Sequence, residues 1–264
     1  MKKHFAVALS TMLMLGTAVS AEEKMDLMKP AVWDASTQKR IVFAENELTA
    51  AIPFYMMRGP LMTIDPKKEY TVSLKIKADG GTPSVRVGFR CYTADNKAIE
   101  SHHILTQKGT FTTVAVNAAK GDKILKVKNA ADWKPFGFLA LAFGAKEDGS
   151  DLPNFDIAIC VPEKIEKTGD FWTITLKQPL PKDISAGTGV RQHIRSSLYY
   201  VTPLIKATPE YIAVTGSVKG FSKEFYGKGT WPAGTAKVSI FVQTNITGIK
   251  DVKTLIKDFS LTVR

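Results

Sequence analysis

Apolar and polar residues alternate with period two along most of the chain, and turn residues separate the runs. In extended backbone successive side chains point to opposite faces, so this period predicts strands with one buried face. Across residues 69–77 the pattern turns Val72, Leu74 and Ile76 inward and Ser73, Lys75 and Lys77 outward. Across 236–245 it turns Val238, Ile240 and Val242 inward, leaving Lys237, Ser239, Phe241, Gln243 and Asn245 on the other side. Shorter runs predict strands at 111–116, 123–128, 138–143, 156–161, 171–176, 197–201, 211–218 and 255–263. Asp79-Gly80-Gly81, Asp95-Asn96, Gly121-Asp122, Asp148-Gly149 and Gly169-Asp170 supply the turns. The one stretch with a helical period is 247–255. Many short strands with regular turns predict an all-β chain built as a sandwich or barrel.

Residues 1–21 break the pattern. Lys2 and Lys3 precede an apolar run that reaches Val19 and closes on Val19-Ser20-Ala21. A basic start, an apolar core and small residues at the cut describe a secretory signal peptide. The run falls short of the roughly 20 apolar residues a spanning helix needs. No later segment is apolar enough to cross a membrane, so the sequence predicts a periplasmic or secreted protein without a transmembrane segment. Of the 36 basic residues only Lys2 and Lys3 fall in the leader, so the remainder stays nine ahead of the 25 acidic ones. A basic surface attracts anionic partners through its summed field. In an exported protein that points to acidic polysaccharide or cell-surface glycan; no nucleic-acid motif is present.

An oxidising compartment raises the question of a disulfide between Cys91 and Cys160. Cys91 shares the apolar face of its strand with Val85, Val87 and Phe89, whereas alternation turns Cys160 away from Phe155, Ile157 and Ile159. The faces do not match, which argues for free thiols.

Two resemblances refine the architecture. Residues 120–127, Lys-Gly-Asp-Lys-Ile-Leu-Lys-Val, with 173–180 and 186–190, resemble the successive strands of small inserted β-barrels. Residues 69–77, the 85–97 hairpin, Trp231-Pro232-Ala233-Gly234-Thr235 and 256–263 resemble, in order and spacing, the strands of galactose-binding-like jelly-roll carbohydrate-binding modules. Together they imply a signal peptide at 1–21 and a jelly-roll β-sandwich at 22–117 and 196–264, with a small β-barrel inserted at 118–195. The second resemblance also implies a structural calcium ion at Asp258, with Glu45 or Glu47 as partners. Lys257 departs from the family here, standing where it often carries its first Asp.

Alternation then nominates a binding face. With Val85, Val87 and Phe89 inward, Arg86, Arg90 and Tyr92 share the opposite side, and Gln243 and Asn245 hold the corresponding side of the 236–245 strand. Aromatic, amide and guanidinium groups suit sugars, whose C–H faces stack on rings while hydroxyls and carboxylates take directional hydrogen bonds. Tyr226 and Trp231 form a loop-tip pair at the rim. The expected activity is non-catalytic binding of polysaccharide, with a preference for acidic glycans. Two alternatives stay open. Arg191, His193 and Tyr200 supply the residue types of a lyase acting on uronate polymers, and a sandwich of this kind also serves as a structural cell-surface protein.

Overall fold

The computed structural model describes residues 22–196, 198–223 and 229–264. The signal peptide expected at 1–21 and Tyr226 lie outside the described residues. The chain is all-β, with a β-sandwich as its larger part. One antiparallel sheet runs in the order Ile212–Val218, Tyr70–Asp79, Lys253–Val263, Glu47–Ala50, Val42–Ala44, and Glu23–Asp26 also pairs with Lys253–Val263. The other sheet runs Tyr199–Tyr200, Ser84–Tyr92, Lys237–Thr244, Tyr55–Thr63, with Ala98–Ile99 and Ile205–Lys206 added to Ser84–Tyr92.

The inward residues are those that alternation selects. Val72, Leu74 and Ile76 from the first sheet and Val85, Val87, Phe89, Val238, Ile240 and Val242 from the second form one buried cluster. Removing such side chains from water is the main force closing the sandwich, about 1.5–3 kcal/mol for each large one. Strict alternation fails at bulges, and one of them displaces a nominated residue. A bulge between Lys257 and Ser260, with Asp258 at a positive φ of 53°, shifts the register of Lys253–Val263. The extra residue reverses parity, so Phe259 and Leu261 join Ile256 in the core and Asp258 is left outside.

A second, separate core is built by residues from Val114 to Val190. Its sheets are Ile157–Ala158, Leu139–Phe143, Gly189–Ile194, Thr112–Thr113 and Pro162–Thr168, Phe171–Leu176, Ile124–Val127. Leu139–Phe143 is buried at all five positions, which is why its sequence is a continuous apolar run. Trp133 closes this core, its indole N–H donating to the Thr110 carbonyl at 2.8 Å.

The helical expectation at 247–255 is wrong. That stretch is a turn with Asp251 at positive φ, followed by the start of the Lys253–Val263 strand. Among the described residues, two short α-helices stand elsewhere. Ala35–Arg40 begins at Asp34, whose carboxylate accepts the Thr37 N–H at 2.7 Å. Ser101–Ile104 begins with a capping box, in which the His103 ring accepts the Glu100 N–H at 3.0 Å. Among the described residues no helix is long and apolar enough to cross a membrane.

Candidate functional site

The register of the second sheet brings the nominated residues together. Gln243 stands opposite Arg86, Phe241 opposite Gly88, Ser239 opposite Arg90 and Lys237 opposite Tyr92, all on the face turned from the core. The strand of Tyr199 and Tyr200 lies along the other side and lays Tyr200 across Gly88. The approach is close because position 88 has no side chain: a Cβ there would sit 2.2 Å from the Tyr199 carbonyl oxygen. Tyr200 then links the two strands. Its hydroxyl donates to Gln243 Oε1 at 2.7 Å, its ring meets Phe241 edge-on, and the Arg86 guanidinium stacks 4.5 Å from its centroid. Phe241 is fully buried under this cover, although it faces away from the core.

Arg86 has no carboxylate partner among the described residues, and its Nε is buried without a hydrogen bond. Stacking on Tyr200 therefore holds the guanidinium in place, and among the described residues its terminal nitrogens have no protein acceptor. Arg90 differs: it pairs with Glu100 at 3.1 Å. Tyr92 is half-buried at the far end of the face, beside Lys237, which is tied to Asn96 Oδ1 at 2.7 Å.

Three other nominated residues have different work. Trp231 is fully buried, with its ring against Tyr70, Phe89 and Tyr199, so no sugar can stack on it. Asn245 is buried just past the strand end and spends its whole amide on one neighbour: Nδ2 donates to the Ile249 carbonyl at 2.7 Å and Oδ1 accepts the Ile249 N–H at 3.0 Å. It shapes a turn and faces no ligand. Asp258 is exposed, and an ion pair with Lys75 at 2.9 Å holds its carboxyl below the usual range. Asp26 and Glu45 line the same depression, whereas Glu47 accepts a hydrogen bond from the Tyr211 hydroxyl. Among the described residues no three acidic, His or Cys side chains converge as a cation site requires.

The lyase residues are not assembled. His193 is fully buried, and both ring nitrogens are engaged, Nε2 by Arg191 Nε at 3.0 Å and Nδ1 by the His102 carbonyl at 2.7 Å. Arg191 is also buried, and reaches Asp151 at 2.8 Å and the Lys146 carbonyl at 3.0 Å. Burial, reinforced by the Arg191 charge, lowers the His193 pKa to about 4. Arg195 lies past the strand end, and Tyr200 is occupied by Arg86 and Gln243. Cys91 and Cys160 are both free and buried, in the first and second core respectively, and burial pushes the Cys91 thiol up to about 12.

Sequence reasoning missed a cleft of about 830 Å³ where the two cores meet. Its walls are the Phe136-Gly137-Phe138 loop, the start of the short helix at Glu100 to His102, and Ile194 to Ser196. These segments are fastened to one another. The Arg195 N–H donates to the Phe138 carbonyl at 2.7 Å, Ile194 N–H to the Leu105 carbonyl at 2.8 Å, and Ser196 N–H to Ser101 Oγ at 2.8 Å. Two phenylalanines on either side of Gly137, after Pro135, were the available signal. Only folding brings His102 and Arg195 beside them.

Compared with known proteins, the chain matches no family model, no curated protein and no solved structure at a significant level. The likeness to carbohydrate-binding modules therefore rests on the sequence pieces alone, and the β-sandwich is what the coordinates add.

Proposed function

We propose that this chain is an exported, non-catalytic protein that binds polysaccharide, with a preference for acidic glycans. Binding takes place on the outer face of the Ser84–Tyr92 and Lys237–Thr244 strands. The observation that supports this most is Arg86, an arginine stacked on Tyr200, opposite Gln243, and without a carboxylate partner among the described residues. A guanidinium held in this way is oriented before a ligand arrives and can give two parallel hydrogen bonds to a carboxylate or sulfate. Gln243 stands opposite it, and its amide can serve a sugar hydroxyl. From Arg86 to Tyr92 the face extends about 20 Å, a groove's length rather than a point contact. The basic leader and Ala21 cut site support delivery to the periplasm or the medium. A lyase is less well supported, because its base would be His193, which has no exposed surface and no free ring nitrogen.

Affinity electrophoresis tests this reading. The protein is expected to be retarded in gels containing polygalacturonate or alginate, and less so in gels containing neutral glucans. Arg86→Ala is expected to remove most of the retardation while leaving the thermal unfolding midpoint within a few degrees of wild type. Equal mobility of wild type in every gel would discard the proposal, and self-association without glycan binding would favour a structural surface role.

A further inference from the structure

We propose that the cleft between the two cores is a uronate subsite: a carboxylated pyranose lies with its C–H face on Phe138 and Phe136 and its carboxylate on Arg195. This deepens the polysaccharide-binding reading and rests on it. Phe138 is 70% exposed and Phe136 40%, on either side of Gly137. Leaving a phenyl ring in water forgoes about 1.5–3 kcal/mol of burial, so two exposed rings lining one largely apolar cleft mark a surface made to be covered. The ligand must have an apolar face to cover them.

Charge selects the rest of the ligand. Arg195 lies in the same cleft, exposed and without an acidic partner among the described residues. The one carboxylate on the wall, Glu100, is already neutralised by Arg90 at 3.1 Å. The cleft therefore carries one uncompensated positive charge and accepts one anion. Burial holds the His102 imidazole below its ordinary range, with Glu100 opposing and the Arg195 charge adding to the effect. His102 is consequently neutral at pH 7 and able to serve a sugar hydroxyl. A volume of about 830 Å³ is within the usual span for ligand sites, roughly 300–1,000 Å³. The backbone ties from Arg195 to Phe138 and from Ser196 to Ser101 set the walls before binding.

The arrangement also gives Arg90 a second role. By holding Glu100, which lines the cleft, it joins the sheet face to the cleft wall.

The test uses the full chain, isothermal titration and three oligosaccharides of equal length: oligogalacturonate, its methyl ester, and a neutral maltooligosaccharide. Wild type is expected to bind the acid about tenfold more tightly than the ester, as one charge-assisted bidentate contact allows. Arg195→Gln is expected to shrink the acid-to-ester ratio, leaving only the preference due to Arg86, and Phe138→Ala to weaken both. Each residue is solvent-facing, so unfolding midpoints near wild type certify the variants. An unchanged acid-to-ester ratio in Arg195→Gln, or unchanged affinity in Phe138→Ala, overturns the subsite. If Arg86→Ala nevertheless abolishes binding, the sheet-face reading survives alone. If wild type binds none of the three, nor any polymer in the gels, the broader reading fails with it.

Discussion

Arg191 Nε donates to Nε2 of His193 at 3.0 Å, which makes that nitrogen an acceptor and places the imidazole proton on Nδ1. The opposite nitrogen then donates to the His102 carbonyl at 2.7 Å, so the neutral ring is satisfied on both sides. A second proton on His193 would break the bond to Arg191 and set two cations side by side in a buried site.

Acid should therefore loosen the protein well before its carboxylates titrate. Burial holds His193 at about 4 against an ordinary 6.5, and holds His103 at about 4 as well. Both shifts are downward, so between these values the unfolded chain binds more protons than the native one. The stabilisation is complete above pH 6.5 and is lost as pH falls toward 4, with about 3 kcal/mol due to His193. Urea midpoints measured from pH 7.5 to 4 check this, and His193→Gln should flatten the slope. A midpoint independent of pH across that window would contradict the neutral, buried ring.

Removing one member of the buried pair is expected to cost more than removing both. Arg191→Met strands the Asp151 carboxylate, which is almost wholly buried, and should cost about 3–5 kcal/mol. Adding Asp151→Asn should recover a substantial part, because the uncompensated charge is gone. A double-mutant cycle in urea measures the coupling.

Gly88→Ala tests the close approach of Tyr200 to the sheet. The added methyl carbon would meet the Tyr199 carbonyl oxygen at 2.2 Å and the Phe241 ring at 2.5 Å, and neither contact can be kept. The Tyr199–Tyr200 strand must move outward, uncovering Phe241 and releasing Arg86. The expected result is a loss of about 1–3 kcal/mol in stability together with the loss of glycan retardation. Wild-type behaviour in both assays would show that the strand is not held as described.

The two thiols should be inert in the native protein. Cys91 and Cys160 are buried in different cores, and burial raises both above the ordinary thiol value. Ellman's reagent should register no fast-reacting thiol in buffer and two in denaturant, with electrophoretic mobility the same with and without reductant.

How far the sequence could be read depended on how regular the backbone is. Within long strands alternation was sufficient: it placed Arg86, Arg90 and Tyr92 on one face, and the register set Gln243 opposite Arg86. It failed at strand ends and bulges. Asn245 lies one residue past its strand in a left-handed turn, so its side chain curls back to Ile249. Trp231 belongs to a two-residue strand whose direction no period can give, and the bulge at Asp258 reverses parity in mid-strand. Phe241 faces outward as alternation requires, yet is buried because Tyr200 is laid over it, a contact between residues far apart in the chain. The cleft was invisible for the same reason, since its walls come from three segments whose meeting depends on how the two cores are joined.

Lys253–Val263 bridges its sheet, holding Tyr70–Asp79 on one flank and both Glu47–Ala50 and Glu23–Asp26 on the other. A ribosome delivers those three partners long before it delivers the strand that joins them. Until then their apolar sides have no common scaffold, and the sheet cannot grow hairpin by hairpin as local pairings would allow. Closure of this sheet therefore waits on order of synthesis, because the strand that joins its flanks is made after both of them.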